Sequence, residues 1–238
     1  MNQHYALKTG RLSSHGAILR FLRRLPREAR LLDVGTATGY FGEALRQDGF
    51  RHLDGLESDG HTVASATRFY ETMVHADVES AELPWPPGAF DAIICADVLE
   101  HLRDPCGALR RLRSLLAPAG WMIVSVPNVA HWSVRLRLLA GRFDYQPSGV
   151  LDEGHLRFFT RGTARQLMSQ AGLTVEWEAV TPLPIAHWIN GSPWSPLLRA
   201  VEYLDWTLAR MRPGLFAYQL VLAGRVLAGG TMPCRAAR

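Results

Sequence analysis

Short apolar runs alternate with amphipathic stretches along most of the chain. Runs such as RLLDVG, FDAIICAD and GWMIVSVPN are short, apolar and followed by turn residues, which is typical of buried strands. HLDGLE and the short run TMVHAD are predicted to be strands as well. Between them, residues 40–47, residues 63–70 and CGALRRLRSLLAP are predicted to be helices, with apolar residues at helical spacing. Strands that alternate with helices in this way predict a parallel, doubly wound sheet with helices on both faces.

The last third of the chain departs from this alternation. After a predicted helix (RGTARQLMSQAG) and strand (LTVEWEAV) comes a Pro- and Trp-rich span that contains Trp188 and Trp194. A further helix is predicted at residues 197–211, and a last strand at LFAYQLVLAGRV. The apolar stripe of that helix is expected to be core or a homodimer face, with an acceptor-pocket wall or a membrane-surface helix as alternatives. Its members are Leu197, Leu198, Val201, Leu204, Leu208 and Met211.

Composition narrows the class of protein. The 238 residues are 47% apolar and 20% charged, and the net charge is +4. Lys8 is the only lysine, so almost all of the positive charges are arginines. This composition is typical of a globular protein. No apolar run is long enough to span a bilayer, so a cytoplasmic location is expected. The three cysteines form no C-x-x-C pair, and no metal site is predicted.

The stretch LLDVGTATGYFG is a glycine-rich turn between a predicted strand and a helix. Such a turn brings the backbone close to a ligand and directs helix N–H groups at it. The spacing is Asp33-x-Gly35-x-x-x-Gly39, with Ala37 where a dinucleotide fingerprint has its second glycine. A carboxylate two residues before the first glycine would repel a pyrophosphate. The turn therefore favours a ligand that carries positive charge.

With DVGTATG, the chain resembles the class I S-adenosylmethionine-dependent methyltransferases, whose first motif is an acid-x-Gly-x-Gly-x-Gly turn. Three further elements match in order: Glu57 in DGLESD, Asp77 in HADVES, and ICADVLEHLRDP. The run PNVAHWSVRL is similar to a ubiquinone-type and methionine-biosynthesis methyltransferase-like subgroup. The resemblance implies a Rossmann-like, doubly wound, mostly parallel seven-stranded sheet with substrate-lid insertions. It also implies S-adenosyl-L-methionine as cofactor and S-adenosyl-L-homocysteine as product.

The resemblance further implies which residues hold the cofactor. Glu57 would bind both ribose hydroxyls, and Asp77 would meet the adenine amino group. The full expected set is Asp33, Gly35, Thr36, Ala37, Thr38, Gly39, Glu57, Ser58, Asp77, Val78, Cys95, Ala96 and Asp97. We expect one methyltransferase domain over residues 1–238. Its parts are a helical cap at 1–30, a cofactor-binding core at 31–128, and substrate-lid insertions at 129–160 and 181–213.

The segment after the fifth strand, which includes LDEGHLRFFT, is expected to be a lid strand of the acceptor pocket. A hydroxyl acceptor must lose its proton as the new bond forms, and histidine suits that step near neutral pH. His155 is the first candidate base, oriented by Asp152 and Glu153, and His101 is the second. Each also has a purely structural alternative. The expected substrate-binding residues are His131, Trp132, Arg135, Tyr145, Asp152, Arg157 and Phe158.

The first functional hypothesis is O-methylation of a small molecule: a secondary metabolite, a phenol- or quinone-like compound, or a sugar-containing intermediate. A nucleic-acid methyltransferase is less favoured. ADVLEH lacks the Asn/Asp-Pro-Pro-aromatic run of amino-methylating enzymes, and no basic aromatic stripe is present. A non-catalytic methyltransferase-fold partner or regulator stays open. An oxidoreductase is disfavoured because the turn spacing does not suit a dinucleotide.

Overall fold

The computed structural model describes residues 12–184 and 196–226. Within them, the strands are β1 Arg30–Val34, β2 His52–Glu57, β3 Thr72–His75, β4 Phe90–Ala96, β5 Leu116–Pro127, β6 Leu173–Thr181 and β7 Gln219–Val226. All seven predicted strands are confirmed. β5 begins earlier than predicted, where Leu116 pairs with Phe90 of β4. β7 begins later than predicted, because the residues before it form a short helix with Pro213 in its first turn.

The helices are α1 Ser14–Leu22, α2 Tyr40–Gln47, α3 Gly60–Ala66, α4 Pro105–Ser114, α5 Trp132–Leu139, α6 Arg161–Gln170, α7 Pro196–Met211 and α8 Pro213–Phe216. One predicted helix, at residues 63–70, is displaced. It begins earlier because the Asp59 side chain caps it by accepting from the His61 N–H at 2.9 Å. It ends at Ala66 and continues as a short 3₁₀ helix, Thr67–Phe69.

The seven strands form one sheet in the order β3-β2-β1-β4-β5-β7-β6. β7 runs antiparallel to both β5 and β6, and every other neighbouring pair is parallel. The mostly parallel, doubly wound prediction is confirmed. The chain leaves β1 toward β2 on one side and returns to β4 on the other. A crevice is therefore expected at the carboxyl ends of β1 and β4, where ligands bind in open sheets of this kind.

A hydrophobic core covers each face of the sheet. On one face Leu32, Ile93 and Val124 belong to a cluster that also contains residues of α4 and α6. The residues next to them in sequence, such as Leu31 and Ile94, belong to a second cluster with α1 and α2. This alternation is the two-residue period of a strand buried on both sides. Helices on both faces are thus confirmed.

The apolar stripe of α7 is more exposed than a core assignment predicts. Val201 is 40% exposed, Leu204 60% and Met211 71%, whereas Ala209 is fully buried. In the described residues the stripe is therefore not core. The predicted dimer face, pocket wall and membrane-surface helix stay predictions. Trp188 and Trp194 lie outside the described residues.

Candidate active site

The loop after β1 is held in unusual backbone conformations. Gly35, Ala37 and Gly39 all have positive φ, at 74°, 47° and 86°. The left-handed region is open to glycine but strained for alanine. The loop leads into α2. The first backbone N–H groups of a helix have no acceptor within the helix and can donate to an anionic or polar ligand.

Close packing explains why two of these positions are glycine. A Cβ on Gly35 would lie 2.6 Å from Val98 Cγ2, in the loop after β4. A Cβ on Gly39 would lie 2.8 Å from the Cα of Ala66, at the end of α3. Both distances are shorter than any van der Waals contact permits. The loop after β1 is therefore pressed against the loop after β4.

Glu57 lies at the end of β2, and its carboxylate is fixed beside the glycine loop. One oxygen accepts from the Ala37 N–H at 2.7 Å. The other accepts from the N–H groups of Ser58 and Asp59 at 2.8 and 2.9 Å. The carboxylate is thus fixed at the carboxyl edge of the sheet, and the binding of ribose hydroxyls that the resemblance implies for it stays a prediction.

Asp33 is less accessible than the sequence suggests. It is 3% exposed and accepts a 2.6 Å hydrogen bond from the hydroxyl of Tyr70. That hydroxyl accepts in turn from the N–H of Gly42 at 3.1 Å. Burial raises the pKa of Asp33 to about 7, although the bond from Tyr70 acts in the opposite direction. Asp33 thus lies behind the loop and supports it, and Tyr70, which sequence reasoning missed, orients it.

The expected adenine-binding residues lie at the ends of β3 and β4. Asp77 is exposed, and its carboxylate accepts from the N–H of Glu79 at 2.8 Å. Val78 and Cys95 are both members of the hydrophobic core. Cys95 is fully buried, and burial raises the pKa of its thiol. In this structure it therefore supports the site from the core and does not line an open surface.

Asp97 follows β4 and is the meeting point of four elements. It has a positive φ of 56°, and its N–H donates to Ser125 Oγ of β5 at 3.0 Å. Its carboxylate accepts from Ser125 Oγ at 2.6 Å and from Gln219 Nε2 of β7 at 3.0 Å. His15 of α1 lies 3.8 Å from the same carboxylate and stacks on Tyr40. Strain at a residue that is fixed by its surroundings is typical of functional sites.

The two candidate bases are neighbours. The rings of His101 and His155 meet edge to face with centroids 4.9 Å apart. His101 Nδ1 lies 3.0 Å from the Gly154 carbonyl, and His155 Nδ1 lies 3.2 Å from the Val150 carbonyl. The backbone, and not Asp152 or Glu153 as predicted, makes the hydrogen bond that orients His155. Burial and the nearby His101 lower the pKa of His155.

The segment over residues 149–160 is a series of turns and not the predicted lid strand. Its only ladder contacts among the described residues are single bridges, such as Asn128 with Phe159. The N–H groups of Leu156 and Arg157 both donate to the Glu100 carbonyl, at 2.8 and 2.9 Å. The glycines at 149 and 154 break any regular pairing. The segment is nevertheless docked firmly on the loop after β4, as a lid would be.

The remaining expected substrate residues are divided between buried and exposed positions. His131 is fully buried, caps α5 and has its pKa lowered to about 4 by burial. Asp152 is buried as well, and it accepts from the Gly154 N–H at 2.7 Å. The exposed guanidinium groups of Arg135 and Arg157 donate to the backbone carbonyls of Ala130 and Arg103.

The aromatic members of the set lie together. Tyr145 is 58% exposed, and its ring is 6.4 Å from that of the half-buried Phe158. Phe143 lies between them, at 5.8 Å from Tyr145 and 5.7 Å from Phe158. Trp132 is half-buried at the start of α5 and lies against His131. The Phe143, Tyr145 and Phe158 rings form an open aromatic surface next to the histidine pair, since His155 also contacts Phe158.

Comparisons with known proteins agree with this geometry. A family model described as a methyltransferase domain matches residues 8–177. Ubiquinone biosynthesis O-methyltransferase of Burkholderia thailandensis is 26% identical over 168 residues, which cover 66% of this chain and 70% of that protein. A Mycolicibacterium smegmatis protein, "Probable S-adenosylmethionine-dependent methyltransferase", is 30% identical over 146 residues, or 61% of this chain and 52% of that protein.

Among solved structures, the fold is similar to that of the Burkholderia thailandensis 1,6-didemethyltoxoflavin-N1-methyltransferase with bound 1,6-didemethyltoxoflavin and S-adenosylhomocysteine. The TM-score is 0.59 at 18% identity, over 90% of this chain and 78% of that one. The family match extends over more than half of the chain and includes the glycine loop, Glu57, Asp77 and Asp97. The chain therefore belongs to the methyltransferase-domain family and is a class I S-adenosylmethionine-dependent methyltransferase.

Proposed function

We propose that this enzyme transfers the methyl group of S-adenosylmethionine to a hydroxyl oxygen of a small-molecule acceptor. The observation that carries the proposal is the contact between His101 and His155. The contact lies beside the loop that holds Asp97, at the carboxyl edge of the sheet. The residues expected to hold the cofactor lie in or just after the ends of β1 to β4, at that same edge. The acceptor would bind between the histidine pair and the methyl group.

The reaction is an in-line displacement. The acceptor oxygen forms a bond to the methyl carbon as the carbon–sulfur bond breaks, and its electrons pass to sulfur to give S-adenosylhomocysteine. His155 would accept the hydroxyl proton at Nε2. A carbonyl oxygen only accepts hydrogen bonds, so the contact with Val150 places the ring proton on Nδ1 and leaves the lone pair on Nε2. The lowered pKa keeps the ring neutral before the reaction.

The surroundings of the histidine pair favour an acceptor with an aromatic ring. Phe143, Tyr145 and Phe158 offer exposed ring faces and edges, against which a phenol- or quinone-like acceptor could stack. Arg135 and Arg157 are already bonded to backbone carbonyls, which weakens the case for an anionic acceptor. The O-methyltransferase name of the Burkholderia relative supports oxygen as the accepting atom.

Catalysis takes precedence over the non-catalytic role that the sequence left open, because the chain belongs to a family of methyltransferases. We further propose that the enzyme works in the cytoplasm; none of the helices in the described residues has the length and apolar character needed to cross a bilayer. We also propose that the protein forms a homodimer through the exposed side of α7, around Val201 and Leu204.

The test is methyl transfer from radiolabelled S-adenosylmethionine to a panel of phenols, hydroxyquinones and glycosides, each paired with its amino analogue. We expect labelled product from a hydroxyl compound, and at least a tenfold lower rate in His155→Ala, since general-base assistance contributes about 10²–10⁴-fold. His52→Ala is the control, because His52 begins β2 at the opposite edge of the sheet. Labelling of the amino compounds alone would refute O-methylation.

A further inference from the structure

One group of side chains beside the cofactor residues has the chemistry of a metal site. Glu100, His101 and His155 each offer a ligand atom, and these three atoms all lie within 4.8 Å of one another. Glu100 is 1% exposed, and both histidines are half-buried. Residues from two distant parts of the chain therefore converge on one point, at the carboxyl edge of the sheet.

Both imidazoles are already oriented as metal ligands usually are. A histidine that binds a metal generally donates its other ring N–H to a carbonyl or carboxylate, which fixes the ring and its tautomer. His101 Nδ1 is 3.0 Å from the Gly154 carbonyl, and His155 Nδ1 is 3.2 Å from the Val150 carbonyl. Each contact places the ring proton on Nδ1. The Nε2 lone pair of each ring is thereby available for coordination.

The backbone around the group is also preorganised. The Glu100 carbonyl accepts from the N–H groups of Leu156 and Arg157, which ties the loop after β4 to the segment that carries His155. The carboxylate and the two imidazoles can then meet an ion with little rearrangement. Preorganised ligands bind metals more tightly than flexible ones, because less conformational entropy is lost.

We propose that Glu100, His101 and His155 bind one divalent transition-metal ion, through the carboxylate and the two Nε2 atoms. Two imidazole nitrogens and one carboxylate oxygen form the donor set of catalytic zinc sites and of open sites for other divalent transition metals. Three protein ligands leave coordination positions open. The ion also places positive charge next to a carboxylate that is almost fully buried.

The open coordination positions would allow the ion to bind the acceptor hydroxyl. This role of the ion rests on the proposed function. A hydroxyl bound to such an ion loses its proton more readily, because the positive charge stabilises the alkoxide or phenolate. The proton passes to solvent water, and the oxygen then attacks the methyl carbon. An Nε2 that coordinates the ion cannot accept a proton. In the metal-loaded enzyme the ion therefore replaces His155 as the group that activates the acceptor.

The experiment is calorimetric titration of the full, tag-free chain with ZnCl₂ and with MnCl₂ after treatment with a chelator. We expect one ion per chain. Glu100→Gln and His155→Ala should each weaken binding more than about 100-fold, because loss of a ligand exceeds the 10–100-fold effect of losing an outer-shell partner. His52→Ala removes an exposed histidine that lies 3.2 Å from Glu71, and it should bind as wild type does. Binding of S-adenosylhomocysteine to each variant shows that it is folded.

Absence of binding to the wild type, or wild-type binding by Glu100→Gln and His155→Ala, would overturn the metal site. Methyl transfer is measured separately, with and without chelator. Metal binding without any methylation of hydroxyl compounds would refute the proposed function but not the metal site. If a protein that binds the ion keeps its full rate of methyl transfer in the presence of chelator, only the activating role of the ion would be refuted.

Discussion

Gly35→Ala tests whether the loop after β1 is held in place by the loop after β4. Gly35 has φ 74°, where alanine is disfavoured by about 1–2 kcal/mol. About 0.4–1 kcal/mol of that is offset, because alanine restricts the unfolded chain more than glycine does. The new Cβ would also lie 2.6 Å from Val98 Cγ2. Overpacking of this kind costs about 1–3 kcal/mol. We expect a total loss of about 2–4 kcal/mol in the free energy of unfolding.

Two further variants separate the backbone term from the contact term. Gly88 has nearly the same φ, 75°, but a Cβ there would meet nothing within 4 Å. Gly88→Ala should therefore lose only the backbone part, about 1 kcal/mol. Val98→Ala removes the methyl groups that the new Cβ would strike. In the double variant Gly35→Ala/Val98→Ala, the contact part should be recovered and the backbone part retained.

The assay is urea denaturation of each protein, followed by circular dichroism, with a parallel titration of S-adenosylhomocysteine. A double-mutant cycle should give a coupling energy of about 1–3 kcal/mol between positions 35 and 98. The cofactor analogue should bind more weakly to Gly35→Ala than to Gly88→Ala, because only the first displaces the cofactor loop. Equal loss of stability in both single variants, or zero coupling, would refute the packing argument.

Other predictions concern the supports of the same loop. The folded-state pKa of Asp33, about 7, is above its usual value of 3.8, so the associated stability is lost as pH rises from about 4 to 7. Denaturation of Asp33→Asn across that range should show a weaker pH dependence than wild type. Tyr70→Phe leaves the Gly42 N–H and Asp33 without a partner hydroxyl, and chemical denaturation should show a loss of about 1–3 kcal/mol. Asp104→Ala removes the cap of α4, and thermal unfolding should report a loss of about 1 kcal/mol.

The sequence predicted the elements around the glycine loop because local signals there agree. β2 and α2 have the bounds that were predicted, and both β1 and β4 are present. In this region apolar period, turn residues and strand length all point to the same structure. Glu57 ends β2, and Asp77 and Asp97 follow β3 and β4, so the strand assignments alone place them at one edge of the sheet.

The sequence did not predict what long-range packing decides. His15 and Gln219 meet at Asp97 although they come from opposite ends of the chain. No periodicity records such a contact, because its cause is the placement of α1 and β7 on the completed sheet. The burial of Asp33 is also decided by long-range packing. The motif DVG suggests that this acid faces a ligand, but Tyr70, from a distant segment, covers it.

The histidine pair combines both kinds of information. His101 follows β4, so its place near the cofactor edge could be inferred from the strand pattern. His155 arrives there only because the turns over residues 149–160 donate two backbone hydrogen bonds to the Glu100 carbonyl. Those bonds use a main-chain N–H and a main-chain carbonyl, which every residue type except proline possesses, and so they leave almost no signature in the sequence. The part of the site proposed for the acceptor is therefore set by backbone geometry, whereas the part expected to hold the cofactor is set by side-chain and glycine identity. This difference explains why the cofactor half could be located from motifs, and why the juxtaposition of Glu100, His101 and His155 required the folded chain.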